Sequence, residues 1–210
     1  MYRTQRNYEN VQRMLFDGIG EYGIPKIKPT QFDKAEFVGF NYAKNAKEPE
    51  DKAVHFFLDD YQFLRVWNDP ERYLRMLQQY KYVLSPDFSL YVDYPKALQL
   101  YNHYRKHWLG AFWQENGINV IPTICWSDEK SFEWCFDGEP ENSVVALSAI
   151  GTQNSNSKKQ RFLNGYQEMI HRLKPEKIIF YGDVPKECNG NIVQIQSYGD
   201  KWKGAVCNGR

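Results

Sequence analysis

Short apolar segments alternate with helical segments along most of this chain, and no other sequence feature restricts the fold as strongly. Segments such as SVVALSAI and KIIFY are apolar on both faces, which is typical of parallel strands that helices cover on each side. The alternation predicts a single α/β domain with a mainly parallel sheet. The predicted strands span 37–42, 53–58, 82–85, 119–125, 144–150, 177–181 and 192–195, and the predicted helices span 8–16, 70–80, 95–115, 131–136 and 158–173.

Six to seven predicted strands in 210 residues fit two arrangements, a reduced or incomplete (β/α) barrel and an open doubly wound sheet. Polar and aromatic residues follow nearly every strand, and this pattern favours the barrel-like arrangement. The proline-rich sequence from 22 to 29 predicts an irregular lead-in. We therefore expect an arm and lead-in over 1–36, one domain over 37–198, and a tail over 199–210.

The charge balance and the cysteines limit the classes of function. Lys and Arg number 27 against 26 Asp and Glu, which argues against a protein that binds nucleic acid through bulk positive charge. No segment approaches the ~20 apolar residues of a membrane span, and the polar N-terminus lacks an apolar signal core. The 4 cysteines form no C-x-x-C pair. We expect a cytoplasmic protein with reduced thiols and no membrane partner.

Polar residues at the C-terminal ends of the predicted strands form the candidate site, because sites in parallel α/β folds lie where these ends converge. Carboxylates from different strands suit acid and base roles, or oxygen ligation of a divalent cation, which is the one cofactor that the sequence suggests. The structural alternative is that each Asp caps a turn or a helix. The candidate catalytic residues are Asp59, Asp60 and Asp87, and the candidate substrate-binding residues are Ser85, Trp126, Ser127, Gly151, Thr152, Gln153 and Tyr181.

Asp87 ranks first among the carboxylates, because Pro86 fixes the backbone where the strand ends. A rigidly presented carboxylate is better preorganised than Asp128 or Asp183, which lie in more polar segments. In the structural alternative, Asp87 accepts the backbone N–H groups of the next two residues in an Asx-turn and only shapes the loop. A functional Asp87 is expected to face a pocket with at least one oxygen free.

The loop 151–157 lies between a strand and a helix, so its backbone N–H groups and hydroxyls suit an anion such as phosphate. It matches neither the P-loop nor the dinucleotide-binding pattern, and the alternative is a flexible loop with Ser157 as the helix cap. Trp126 suits either stacking on a sugar or base, or packing in the core.

His103 and His107 have the i, i+4 spacing of metal ligands, but the intervening Arg105 and Lys106 argue against a metal and predict a partly solvated helix face. Basic residues cluster there and again over 158–161. Each cluster is interpreted as a solvated helix face or as a local nucleic-acid contact.

The segments LSPDFSLY (84–91), YRKHWLGAFWQENGINVIPTICW (104–126), ALSAIGTQ (146–153) and PEKIIFYG (175–182) resemble a family of bacterial and phage proteins. That family is known only as a domain of unknown function, frequent in Gram-positive bacteria and their mobile elements. The resemblance covers roughly residues 20–198 and implies no catalytic residue. It implies an intracellular protein of a phage, plasmid or integrated element, with a nucleotide, a nucleic acid or a host protein as ligand.

These observations predict an enzyme that uses strand-end carboxylates on a phosphate- or sugar-bearing substrate, such as a nucleotide or nucleic-acid component. Hydrolysis and glycosyl transfer both fit such a site. The alternative is a non-enzymatic binding protein for a host protein, a nucleic acid or a signalling nucleotide. It follows from the lack of a complete catalytic signature beside a surplus of aromatic residues, which make up 16% of the chain.

Overall fold

A computed structural model of the protein describes residues 8–11 and 13–197. Its strands are β1 (Gly18–Ile19), β2 (Ile24–Pro25), β3 (Glu36–Gly39), β4 (Lys52–His55), β5 (Tyr82–Leu84), β6 (Val120–Ile121), β7 (Val144–Ser148), β8 (Lys177–Tyr181) and β9 (Ile192–Ile195). Its helices are α1 (Phe40–Ala43), α2 (Asp60–Asn68), α3 (Pro70–Leu77), α4 (Lys96–Glu115) and α5 (Asn156–Leu173), with 3-10 turns at Tyr8–Asn10, Pro49–Asp51 and Glu129–Glu133.

Strands β3 to β9 are all parallel and follow one another in chain order. Strands β3, β4, β5 and β6 form one sheet, and β7, β8 and β9 form another. A parallel bridge between Thr123 and Ala146 joins the two sheets. Within the described residues no pairing connects β3 to β9, so the sheet stays open and no barrel closes. The predicted α/β class with a parallel sheet is confirmed.

Three hydrophobic clusters form the core. The first lies between the β3–β6 sheet and helices α2, α3 and α4, where Trp108 and Trp113 are fully buried. The second packs α5 against β7 and β8 through Phe162 and Met169. The third contains side chains from both sheets and so holds the two sheets together; its buried members are Ala53, Phe57, Tyr82, Leu84, Ile121, Val144, Ala146, Ile179 and Tyr181.

Several element boundaries differ from the predictions. The aromatic run 40–42, predicted as the end of a strand, forms α1 because Phe40 stacks on Phe56 at 4.9 Å beside the sheet. Helix α2 follows Asp59 at once, where only a strand end was expected. Of the predicted helix 8–16, the described residues form only the 3-10 turn Tyr8–Asn10, and the predicted helix 131–136 is the end of the 3-10 turn Glu129–Glu133 followed by a turn. The irregular lead-in includes the short β1–β2 hairpin. The tail 199–210 lies outside the described residues.

Helix α4 is buried on more sides than its apolar pattern predicts. Besides the apolar face, the structure buries the polar side chains of Asn102, His103, Lys106 and His107. The predicted solvated face of this helix is therefore wrong, because the segment 134–139 and strand β2 cover it through hydrogen bonds to His103 and His107. In the described part of the chain, no helix is both long enough and apolar enough to cross a membrane.

Candidate functional site

A cavity of about 1310 Å³ opens at the C-terminal ends of the parallel strands. This is the edge at which parallel α/β folds form their sites, because the loops that follow the strands converge there. Each strand from β4 to β9 contributes a lining residue at or just beyond its end, and these residues are Asp59, Asp87, Trp126, Thr152, Tyr181 and Gln196.

Asp87 is the carboxylate with the most unusual surroundings in this cavity. It is partly buried, and no residue in the described ranges donates a hydrogen bond to it. Burial and the nearby charge of Asp60 raise the pKa of Asp87 to about 7, although Lys106 acts in the opposite direction. A carboxyl group with this pKa exchanges its proton near neutral pH, which suits general acid–base chemistry.

The loop that carries Asp87 is held by Asp60 rather than by Asp87 itself. The Asp60 carboxylate accepts hydrogen bonds from the Ser89 backbone N–H at 3.2 Å and from the Ser89 hydroxyl at 2.9 Å. Asn102 of α4 donates to the Ser89 carbonyl at 2.7 Å. The Asx-turn alternative for Asp87 is therefore absent, because Asp60 binds the Ser89 amide that this turn requires.

Three of the predicted site residues lie outside the cavity, and two of these, Asp60 and Ser85, have side chains that hold the loops in place. Asp60 is committed to Ser89, as described above. Ser85 is fully buried, and its hydroxyl accepts the Thr123 backbone N–H at 2.8 Å while its carbonyl accepts the Thr123 hydroxyl at 2.7 Å. Neither residue lines the cavity, so the predicted catalytic role of Asp60 and the predicted binding role of Ser85 have no support in this geometry.

Asp59 is the second carboxylate that the structure brings to the cavity. It is exposed at the start of α2, and its side chain accepts a long hydrogen bond of 3.5 Å from Gln62. Ser127 also lines the cavity, but its backbone N–H is bonded to the Ser131 hydroxyl. Asp59 and Asp87 thus face one cavity from the ends of two neighbouring strands.

Two cations line the cavity at the beginning of α5. Lys158 and Arg161 both reach it, and no carboxylate of the described chain forms an ion pair with either of them. Ser155, not Ser157, caps the helix by accepting the Lys158 backbone N–H at 3.3 Å. The unpaired cations and the helix dipole make this wall of the cavity electropositive.

The loop before α5 contributes two of its three predicted residues. Gly151 and Thr152 line the cavity, and Thr152 is bonded to the Ala149 carbonyl at 2.7 Å. Gln153 is exposed outside the cavity, where it donates to the Thr152 hydroxyl at 2.8 Å. The predicted binding role of Gln153 is not supported by this placement.

Aromatic side chains form the floor and one wall of the cavity. Tyr181 is buried on the floor, stacked on Phe57 at 4.8 Å and close to His55 at 4.9 Å. Trp126 lies against Gly165 of α5 so closely that an added Cβ would be 2.2 Å from its ring nitrogen. Trp126 therefore packs on the core while it also lines the cavity, and its stacking on a sugar or base stays a prediction.

The cavity rim carries exposed apolar side chains that the sequence interpretation missed. Tyr42, Tyr91 and Ile150 expose 52%, 56% and 59% of their surface, and all three line the cavity. Tyr42 lies in α1, Tyr91 in the loop after β5 and Ile150 in the loop after β7, so no sequence pattern connects them. Exposed aromatic residues at a cavity mouth are typical of sites that stack planar ligands.

A buried ionic cluster lies beside the cavity. The Lys106 ammonium donates to the Glu139 carboxylate at 2.6 Å and to the Thr123 carbonyl at 2.9 Å. His107 contacts the same carboxylate oxygen at 2.9 Å. Burial lowers the pKa of Lys106, but the attraction of Glu139 more than compensates, so the ammonium form is retained. Lys106 and His107 are thus unavailable for nucleic acid, contrary to one interpretation of this basic cluster.

Comparison with known proteins identifies the family. The family described as "Domain of unknown function (DUF4417)" matches residues 16–199. The chain belongs to this family. It is 39% identical over 192 residues to the "Gene 1 protein" of Mycobacterium phage L5, covering 90% of this chain and 84% of that protein. It is 38% identical to the "Gene 1 protein" of Mycobacterium phage D29, covering 90% and 71% of the two chains. No solved structure matches the chain significantly.

The predicted resemblance to an uncharacterised phage family is therefore confirmed as membership of DUF4417. In this DUF4417 chain the segments that carried the resemblance surround the cavity. Segment 84–91 contains Asp87, segment 104–126 ends at Trp126, and segment 146–153 contains Thr152. Glu139 lies outside these segments and 33 residues from Lys106, so no sequence signal marked their pairing.

Proposed function

We propose that the protein is an enzyme in which Asp87 transfers a proton to or from a phosphate-bearing, nucleotide-like substrate bound in the cavity. The proposal rests on one observation: an acid–base group and a positively charged wall share the same cavity. A partly buried carboxyl group without a hydrogen-bond donor among the described residues shares the cavity with two unpaired cations. Ordinary surface carboxylates and lysines are solvated or paired and do not line a common cavity.

The proton-transfer role of Asp87 is supported by its fixed position. Pro86 and Phe88 are buried on either side of it, and Arg105 packs over the Phe88 ring at 3.8 Å. Asp60 restrains the loop further through its hydrogen bonds to Ser89. A carboxyl group held in this way keeps its direction during a reaction, which lowers the entropic part of the barrier.

The phosphate-binding role is supported by the wall that Lys158 and Arg161 form at the start of α5. Arginine and lysine bind phosphate oxygens through charge-assisted hydrogen bonds. Helix α5 adds the positive end of its dipole, and Gly151 and Thr152 bring backbone close to the same wall.

The size and the lining of the cavity support a nucleotide rather than a free phosphate. Its volume of about 1310 Å³ exceeds the roughly 300–1,000 Å³ typical of small-molecule pockets, so a nucleotide or a short stretch of nucleic acid fits. Tyr42 and Tyr91 at the rim offer faces on which a base stacks.

Two reaction classes fit these residues, hydrolysis and glycosyl transfer. In both, a protonated Asp87 donates to the leaving group, and the deprotonated carboxylate accepts a proton from the attacking water or hydroxyl. Asp59 supplies a second carboxylate from a neighbouring strand end. The free thiols of Cys125, Cys135 and Cys188 support placing this activity in a reducing cytoplasm.

The test combines ligand screening with product analysis. The purified chain is incubated with nucleoside mono-, di- and triphosphates and with short DNA and RNA oligonucleotides, while thermal shift reports binding and mass spectrometry reports products. We expect Asp87→Asn to retain binding and to lose about 10²–10⁴-fold in turnover. The matched control is Asp183→Asn, because Asp183 is exposed and does not line the cavity. Full turnover in Asp87→Asn would contradict the proposal.

The same experiment decides between an enzyme and a binding protein. The exposed tyrosines at the rim also suit a binding module for a nucleotide or nucleic acid. Binding without conversion of any ligand, with equal affinity in the wild type and in Asp87→Asn, would favour that alternative. Arg161→Gln is expected to weaken binding about tenfold in either case, since it removes one charged contact with phosphate.

A further inference from the structure

The buried cluster beside the cavity contains a set of metal-binding atoms that the proposed enzymatic function does not use. One ligand atom from each of His103, His107 and Glu139 lies within 4.8 Å of the others. All three residues are buried. Two imidazoles and one carboxylate are a ligand set found at zinc sites.

Each histidine places one ring nitrogen on a backbone carbonyl and turns its other nitrogen into the cluster. The Nε2 atom of His103 lies 3.1 Å from the Asp137 carbonyl, and the Nδ1 atom of His107 lies 2.9 Å from the Pro25 carbonyl. A carbonyl oxygen only accepts, so these nitrogens carry the hydrogens. In the neutral rings, His103 Nδ1 therefore keeps its lone pair, whereas His107 Nε2 faces Glu139 Oε1 at 2.9 Å. A neutral His107 has one hydrogen for two acceptors, the Pro25 carbonyl and the Glu139 carboxylate, so a cation between Nε2 and the carboxylate would satisfy the second. Metal-binding histidines are oriented in the same way, by donating their other N–H to a carbonyl.

Two atoms of the cluster are buried without any partner in the described chain. They are His103 Nδ1 and Glu139 Oε2. An unsatisfied buried polar atom costs about 1–3 kcal/mol, so two in one cluster need a physical reason. A cation that accepts both lone pairs removes this cost.

The backbone around the cluster is shaped to bring these residues together. Gly138 has a φ of +79°, and a Cβ at this position would lie 2.6 Å from His107 Nδ1 and 2.5 Å from the Pro25 carbonyl. Only glycine fits there, so the 137–139 segment approaches α4 closely enough for Glu139 to reach both histidines.

We propose that His103, His107 and Glu139 bind a divalent transition-metal ion, with zinc the best fit, that fastens the 137–139 segment to helix α4. Imidazole and carboxylate ligands suit zinc, and three protein ligands leave the fourth tetrahedral position to a further ligand such as water. The Lys106 ammonium lies on the other carboxylate oxygen, Oε1, at 2.6 Å, so Glu139 bridges the two cations.

The decisive experiment uses the full wild-type chain and Co²⁺ as a spectroscopic probe for zinc. The protein is stripped with a chelator and titrated with Co²⁺. We expect the visible absorption of a low-symmetry Co²⁺ site that saturates at one equivalent and is bleached by Zn²⁺. His103→Gln is expected to weaken Co²⁺ binding by at least about 100-fold, because it removes one of three ligands. The control His171→Gln replaces an exposed histidine of α5 and should match the wild type.

The outcomes are separable from those of the enzymatic proposal, because no turnover is measured. An absence of Co²⁺ absorption in the wild type, together with no rise in its melting temperature on adding Zn²⁺, would overturn the metal site. Equal Co²⁺ affinity in His103→Gln and in the wild type would do the same. Where His103→Gln fails to fold, anomalous scattering from wild-type crystals grown with zinc locates the ion. A peak at His103, His107 and Glu139 supports the proposal, and a peak elsewhere rejects it.

Discussion

The cavity around Asp87 and the buried cluster around Glu139 each contain a carboxylate that interacts with the same cation, Lys106. Burial disfavours the charged form of both carboxylates, so by itself it acts to raise the pKa of each. At Glu139, the Lys106 ammonium at 2.6 Å and His107 at 2.9 Å outweigh burial and hold the pKa below its ordinary value. At Asp87, Lys106 offsets burial only in part, so the pKa rises to about 7.

This difference shows that a direct hydrogen bond, rather than mere proximity, decides which carboxylate stays ionised. The Lys106 ammonium donates to Glu139 and to the Thr123 carbonyl but not to Asp87. Glu139 is therefore fixed as an anion within the core, whereas Asp87 remains able to exchange a proton at the cavity. The two carboxylates thus differ in ionisation although they interact with the same cation.

The largest effect is expected from removing the shared cation. Lys106→Met leaves Glu139 buried without its ammonium partner, so the free energy of unfolding should fall by about 3–5 kcal/mol. Urea denaturation at neutral pH measures this loss. With a chelator present, so that no metal ion lies beside Glu139, the double variant Lys106→Met/Glu139→Gln should recover most of it, because neither the ammonium nor the carboxylate remains as a buried charge. A loss below ~1 kcal/mol in the single variant would contradict the claim that Lys106 stabilises the ionised Glu139.

A smaller effect, of opposite sign, is expected at the cavity. The pKa of Asp87 rises from 3.8 to about 7 on folding, so folding favours the protonated form. The contribution of Asp87 is neutral below its unfolded pKa, becomes unfavourable as pH rises between the two values, and is fully unfavourable above the folded pKa. Asp60, Lys106 and the Cys125 thiol are the titratable groups that interact with it, and burial raises the pKa of Cys125 to about 12, so this thiol stays neutral.

Asp87→Asn should therefore stabilise the protein at pH 8 and have little effect below about pH 4. The pKa shift corresponds to roughly 4 kcal/mol, and the partial exposure of Asp87 reduces this to about 1–3 kcal/mol. Urea denaturation of both proteins at the two pH values measures the difference. A stability difference that is equal at both pH values would show that Asp87 is not protonated on folding.

The smallest effect is expected at Asp60, which holds the loop of Asp87. Asp60→Ala removes the hydrogen bonds to Ser89 and should cost about 1–2 kcal/mol of stability. Asp60→Asn keeps a hydrogen-bond acceptor but removes the charge, so it should cost less and still lower the pKa of Asp87. The titration of Asp87 followed by carboxyl NMR measures this pKa. An unchanged pKa in both variants would show that the charge of Asp60 does not act on Asp87.

The strands and long helices were predictable, because each has a local period in the sequence. Strand β8 has the predicted bounds, and helix α4 begins one residue later than predicted. Helix α2 was missed because no glycine or proline separates it from the predicted strand 53–58. Of the candidate site residues, Asp87 lines the cavity as expected. Ser85 does not, because its hydroxyl and carbonyl are both hydrogen-bonded to Thr123. Such bonds depend on a neighbouring strand and leave no local signal.

The α/β class, the parallel strands and the edge at which the cavity opens were all readable from the amino-acid sequence. These follow from hydrophobic periodicity and from the residues just beyond each strand, both of which are local properties. Only the tertiary structure decided that the sheet stays open, that Lys106 is buried, and that Glu139 meets two histidines of α4. These outcomes depend on contacts between residues far apart in the sequence and on the burial that those contacts create. Lys106 and Glu139, for example, are 33 residues apart.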